Sequence, residues 1–142
     1  MRMPPEQARH LFGTARVARL ATADATGQPH VVPITFTIVD DTVVSAVDAK
    51  PKRTTALRRL ANIAANPAVS LLVDHYDDAD WSRLWWARAD GTADVADHDP
   101  AGIAALIAKY PQYEHHPPAG PVVRVRVTAW RGWAASAPAH PG

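Results

Sequence analysis

The stretch His30-Val31-Val32-Pro33-Ile34-Thr35-Phe36-Thr37-Ile38 decides the fold. Val32, Ile34, Phe36 and Ile38 alternate with Pro33, Thr35 and Thr37, the period of two that marks a half-buried strand. Pro33 has no N–H to give to a ladder, so that point is expected at an edge, at a bulge or facing a ligand. Downstream, Asp40-Asp41 predicts a tight turn and Thr42 to Val47 the return strand. Upstream, Arg16 to Ala23 predicts another strand, closed by the turn Asp24-Ala25-Thr26-Gly27. Residues Pro4 to Ala15 predict an opening helix, with Pro5 in its first turn, Glu6 at the positive end of the dipole and Ala8, Leu11 and Phe12 at helical spacing.

Farther along, Thr54 to Ala65 predicts a helix turning Leu57, Leu60, Ala61 and Ala64 to the core, and Asn66-Pro67 stops it. Ala68 to Asp74 predicts a strand and His75 to Asp80 an acidic loop. Leu84 to Ala89 and Thr92 to Ala96 flank Asp90-Gly91, a dipeptide that favours a hairpin turn. Asp99 caps a short helix with Pro100 in its first turn and a stripe of Ile103, Leu106 and Ile107. Pro111 to Pro121 is expected to be irregular. Val123, Val125 and Val127 then alternate with Arg124 and Arg126 in a last strand running towards Trp130. The fold class is mainly β (α+β): an antiparallel barrel that hides its strand edges, with helices packed outside. Residues 1–136 are expected to form a single domain. The tail 137–142, within the Ala/Pro-rich run from Ala134, is expected to be disordered.

Composition narrows the chemistry. A chain of 142 residues suits one domain, and no apolar run approaches the ~18 residues of a membrane span. The N-terminal segment lacks the apolar core of a secretory signal, so a cytoplasmic location is expected. The absence of cysteine removes disulfides, thiolate metal sites and cysteine nucleophiles. A net charge of +1 lacks the single-sign excess of a general nucleic-acid binder. The basic cluster Lys50-Pro51-Lys52-Arg53-Thr54-Thr55, followed by Arg58 and Arg59, lies where a strand hands over to a helix. Free N–H groups, a positive dipole end and adjacent cations there make either an anion site or a solvated helix start. Neither a P-loop nor GxGxxG is present. Asp74, Asp77, Asp78 and Asp80 lack EF-hand spacing, adjacent His115-His116 lack HExxH spacing, and no serine sits in GxSxG. Trp81, Trp85, Trp86, Trp130 and Trp133 fall in two clusters at strand ends, as core, subunit interface or a stack for a flat ring. Trp85 and Trp86 are expected on opposite sides of their strand.

The strand His30–Phe36, the run Asp48-Ala49-Lys50-Pro51-Lys52-Arg53 into Leu57-Arg58-Arg59-Leu60-Ala61-Asn62-Ile63, and the order of elements resemble the pyridoxamine 5′-phosphate oxidase-like split β-barrel flavoproteins. Asn66-Pro67-Ala68-Val69-Ser70-Leu71-Leu72-Val73-Asp74-His75-Tyr76 and Trp81-Ser82-Arg83-Leu84-Trp85-Trp86 are similar to segments of an actinobacterial group of deazaflavin (coenzyme F420)-dependent enzymes. The resemblance spans residues 5–136. It implies a split β-barrel, FMN-binding-like, with two or three peripheral helices, and a homodimer with cofactor sites at the subunit interface. The cofactor ring would lie against Val32, Pro33, Ile34 and Thr35. Lys50, Lys52, Arg53 and Thr54 would hold its phosphate, and Arg58 its more distal acidic groups. Trp85 or Trp86, with Trp130 of the partner subunit, would wall a substrate pocket. It implies hydride transfer between the deazaflavin and a small organic substrate, with no metal. No catalytic acid or base follows, although His30, His75 and Tyr76 are able to donate a proton. FMN would use the same cluster and is the alternative cofactor. A non-catalytic binder of coenzyme F420 or a tetrapyrrole is the alternative outside enzymes. The chain is shorter than the pyridoxamine phosphate oxidases and lacks their C-terminal substrate segment, which argues against vitamin B6 oxidation.

Overall fold

The computed structural model describes residues 1–47 and 53–136, with side chains in the second helix described from Arg58 onward. Helix α1 (Pro5–Thr14) leads into strands β1 (Ala18–Ala23), β2 (Pro29–Ile34), β3 (Thr37–Val39) and β4 (Thr42–Ala46). Helix α2 (Arg53–Ala65) precedes β5 (Ala68–His75), a single 3-10 turn (Trp81–Arg83) and β6 (Trp85–Ala96). Helices α3 (Pro100–Lys109) and α4 (Gln112–His115) precede the last strand, β7 (Val122–Ala134). The expected tail at 137–142 and the residues Asp48 to Lys52 lie outside the described residues. Among the described residues no helix is long and apolar enough to cross a membrane.

The seven strands form one sheet in the order β2-β1-β5-β6-β7-β4-β3, every pairing antiparallel. β2 and β3 are therefore opposite edges, although only Thr35 and Phe36 separate them in the chain. A flat sheet of this width would hold its edges roughly 29 Å apart at about 4.8 Å per strand. Two linking residues span only about 11 Å. The sheet must curl until its edges meet, which produces a barrel with an unpaired seam at Thr35-Phe36. The expected single strand Val32–Ile38 is thus two strands. The alternation holds, with Val32, Ile34 and Phe36 all buried, but the chain changes sheet edge midway.

Phe12 from α1 fills the barrel, meeting the Phe36 ring at 4.9 Å and the Trp130 ring at 5.3 Å, both edge-on. Leu20, Leu71, Val73, Ala87, Ala89, Val123 and Val125 complete this inner layer. α3 covers β3 and β4 through a second cluster of Val44, Leu106, Tyr110 and Val122. It starts as expected, with the Asp99 carboxylate accepting from Gly102 N at 3.0 Å and Pro100 in the first turn. In place of a wholly irregular 111–121 segment, Gln112–His115 makes one more helical turn.

Two further expectations fail for physical reasons. Asp90-Gly91 turns no hairpin: β6 runs on through it for twelve residues, with a register shift between the two. A Cβ at Gly91 would lie 2.3 Å from the Arg126 carbonyl oxygen, so the glycine serves a bulge where β7 approaches closely. Among the described side chains of α2 the buried ones are Asn62 and Ile63, with Leu60 packed beside them, while Ala61 and Ala64 are exposed; the expected core residue Leu57 lies outside the described side chains. The larger Ile63 captures the core position from the small alanines. Asn62 is buried because its amide donates to Thr22 Oγ at 3.0 Å.

The seam is held from α3. The Tyr110 hydroxyl accepts from Phe36 N at 3.0 Å and shares its proton between the carbonyls of Phe36 and Arg16, both at 2.9 Å. Tyr110→Phe is expected to lower stability by about 2–3 kcal/mol, because backbone groups that no strand satisfies would be left unpaired. Urea denaturation checks this, and an unchanged midpoint would remove Tyr110 from its role at the seam.

Candidate functional site

Alternation along β6 sorts the tryptophans. Trp85 shares the inward parity of the buried Ala87 and Ala89 and packs against the core, while Trp86 takes the outward parity of Arg88 and Asp90. Trp133 of β7 is the cross-strand partner of Trp86 and is itself outward and 40% exposed. With Leu72 of β5, Val31 of β2 and Leu84 they line a largely apolar pocket of about 660 Å³ on the outer face of the sheet. His75 stacks on Trp85 with ring centres 6.2 Å apart, and Tyr76 and Arg19 also reach the pocket. Trp130 stands elsewhere, against Phe12 beneath α1. Trp133 was not singled out in the sequence as a pocket residue. Its signal is the register that sets it opposite Trp86, which sequence alone does not supply.

The strand residues divide by face. Val32 and Ile34 send their side chains into the core, so only their backbone is available to a ligand. Pro33 is exposed on an edge strand whose one neighbour is β1, as its missing N–H requires. Thr35 lies at the seam. Its hydroxyl is 2.8 Å from the Tyr113 hydroxyl, and its carbonyl accepts from Ser45 Oγ at 2.7 Å.

Of the basic cluster, Arg53 and Thr54 form the first turn of α2, and Lys50 and Lys52 lie outside the described residues. Arg58 is exposed and borders a cleft of about 190 Å³ with Gln28, His30 and Asn62. His30 Nδ1 is buried there without a hydrogen-bond partner. Arg59 follows Arg58 on the next position of α2. It is half-buried, and burial pushes its guanidinium pKa down.

Between the pocket and the far end of β6, Asp90 accepts from Ser70 Oγ at 2.7 Å and from Arg88 Nε at 2.9 Å, with Arg131 Nε at 3.5 Å. Burial raises the Asp90 carboxyl, but the Ser70 hydroxyl and the Arg88 and Arg131 cations outweigh it and hold it below the ordinary carboxylate range. The acidic loop uses its carboxylates locally. Asp77 accepts from Ala79 N and Asp80 N, and Asp78 accepts from the Tyr76 hydroxyl. Among the described residues no three His, Asp or Glu side chains gather as a metal site would require.

The family model for pyridoxamine 5′-phosphate oxidase matches residues 4–134. The chain belongs to that family. Its split barrel is shared with solved structures of low sequence identity. One is a conserved hypothetical protein of Mycobacterium tuberculosis (19% identity, 99% of this chain and 95% of that one, TM-score 0.70). Another is an FAD-binding protein of Mesorhizobium loti (20% identity, 93% of each chain, TM-score 0.68). A third is the heme storage protein HutZ of Vibrio cholerae (18% identity, 94% of this chain and 95% of that one, TM-score 0.67). No curated protein matches the chain. On this barrel the outward side chains of β5, β6 and β7 make a tryptophan-walled pocket continuous with a charged triad.

Because the folded-state pKa of Asp90 lies below the unfolded one, its contribution is present above the ordinary carboxylate range. It is lost as the pH falls through the folded value. Asp90→Asn is expected to cost about 1 kcal/mol near pH 7 and almost nothing near pH 2. Urea denaturation at the two pH values checks this; an equal cost at both would assign the effect to packing.

Proposed function

We propose that the protein is a homodimeric oxidoreductase that holds coenzyme F420 and transfers a hydride between it and a small organic substrate. The observation that carries this reading is the outer face of β2 and its neighbours. Val31 and Pro33 stand clear of the core on an edge strand, Val31 at 60% exposure, beside an apolar pocket of about 660 Å³. So large an apolar face on a small domain suits burial against a second copy and a flat ring between the two. Family membership supports a flavin-type ligand, and the residues present suit a deazaflavin. The run Lys50, Lys52, Arg53 supplies cations for a phosphodiester at the start of α2. Arg58, beside the unpartnered His30 Nδ1, offers a second anchor for carboxylates. When bound, that group supplies the hydride chemistry. The chain's own part is to bind and orient it along the exposed backbone of Val32 to Thr35 and to exclude water with Trp85, Trp86 and Trp133.

FMN on the same fold is the alternative cofactor, in keeping with the FAD-binding name of one structural neighbour. A protein that binds a tetrapyrrole without turnover is the alternative outside enzymes. It is supported by His75 in an aromatic pocket and by the heme-storage name of another neighbour.

Parallel titrations with coenzyme F420, FMN and hemin, followed by tryptophan fluorescence, separate the three. Micromolar or tighter binding of the deazaflavin alone is expected, and preference for FMN or hemin would replace it with the corresponding alternative. Lys52→Ala with Arg53→Ala is expected to weaken cofactor binding by about 2–4 kcal/mol in a folded protein. Leu72→Asp is expected to give a folded monomer, by sedimentation, that no longer binds cofactor. A monomer that binds normally would refute an interfacial site.

A further inference from the structure

Across the barrel from the pocket, one amine has surroundings unlike those of any other charged group described. Lys109, the last residue of α3, rests with its Nζ 3.8 Å from the centre of the Phe36 ring and 5.3 Å from that of Tyr110. It donates one hydrogen bond, to the Ala15 carbonyl at 2.9 Å. The groups that face it are the end of α1 (Ala15), the seam (Phe36), its own strap (Tyr110) and the residue leading into β1 (Arg16). Arg16 lies over the Tyr110 ring at 4.5 Å and donates to the Lys109 carbonyl at 2.8 Å. None of these is a carboxylate. Every ion pair among the described residues is made by an arginine, and none reaches Lys109. The residue as a whole is only half-buried.

An ammonium placed this way keeps part of its charge in an aromatic cradle beside a second cation and has no anion to hold its proton. Burial, and then the Arg16 charge, lower its pKa to about 8. Near pH 8 about half of the amine is then free base, against well under about one per cent for an ordinary lysine. The same Arg16 guanidinium offers an approaching phosphate a docking charge about one side chain away.

We propose that Lys109 is a modification site, a reactive lysine acylated by small acyl phosphates, and that acylation releases the α3–α4 strap from the barrel seam. The neutral Nζ attacks the acyl carbonyl carbon and a C–N bond forms. The C–O bond to phosphate breaks, phosphate leaves with the electron pair, and the surplus amine proton passes to water. The product amide carries no charge, so the cation–π contact with Phe36 and Tyr110 is lost where α3 secures Phe36. This proposal does not rest on the cofactor reading, since the site lies at the end of α3, among residues separate from those lining the outer pocket.

The test treats the full-length folded chain and a synthetic peptide of residues 104–114 with acetyl phosphate near pH 8. The rate of Lys109 acetylation is followed in each by mass-spectrometric peptide mapping. The folded protein is expected to react at least about tenfold faster than the peptide, with a pH profile centred near 8. A rate equal to or below that of the peptide would overturn the proposal. Arg16→Gln is expected to slow the reaction several-fold and move the profile to higher pH; an unchanged rate and profile would remove Arg16 from the site. Acetylated protein is expected to melt roughly 2–5 °C below untreated protein, with no such shift in Lys109→Arg. An undiminished melting temperature after complete acetylation would overturn the release of the strap.

Discussion

A single phenol holds the barrel closed where hydrogen bonding between strands cannot. The sheet begins and ends on strands separated by two residues, so its edges meet at Thr35-Phe36 without pairing. Backbone groups buried at such a point cost free energy unless something satisfies them. Tyr110 does so by lying across both Phe36 backbone groups and the Arg16 carbonyl. Burial raises the pKa of its hydroxyl, which keeps it a neutral donor and acceptor throughout the working range. Other features of the strap follow from that contact. Tyr113 packs edge-on against Tyr110 and meets the Thr35 hydroxyl, and Lys109 is drawn over Phe36.

The two sides of the sheet obey different constraints. Inside, α1 and the small residues Ala87 and Ala89 leave room for Phe12 and Phe36, so the core is aromatic at its centre and aliphatic around it. Outside, β5, β6 and β7 present Leu72, Trp86 and Trp133 next to Ser70, Arg88, Asp90 and Arg131. Apolar surface of this extent beside a fixed charge pattern gives shape and orientation to whatever covers it. The charged triad sits beside the register shift at Asp90/Gly91, where Thr128 of β7 is skipped and the two strands approach closely.

Several readings of the sequence depended on strand parity alone, and these hold. Alternation placed Val32, Ile34 and Phe36 inside and Trp85 and Trp86 on opposite sides, because side-chain parity along a strand is a local property of the backbone. Readings that depended on what a residue would meet did not survive. Asp90-Gly91 has hairpin chemistry, but its glycine answers to the Arg126 carbonyl of a strand over thirty positions away. In α2, helical spacing marked Ala61 and Ala64 as core, yet alanines are nearly indifferent to burial and the helix rotated to seat Ile63 and a hydrogen-bonded Asn62. At the candidate site, Pro33 was legible because a missing N–H restricts it anywhere, whereas Trp133 needed the β6–β7 register to join Trp86.

The sequence by itself determined most element types, the antiparallel β character, the restriction of Pro33 to an edge, a bulge or a ligand-facing point, the Asp99 cap and the family segments that run from α1 into β7. All of these rest on backbone period, local side-chain chemistry or ordered motif content, which act over a few residues. Only the tertiary structure decided that one expected strand is two opposite edges. It alone decided that Tyr110 would close the gap, that Trp86, Trp133 and Leu72 would share an outer pocket, and that Lys109 would lie on Phe36 without an anion. Those outcomes depend on distances between residues remote in the chain, and curling the sheet is what makes the distances short.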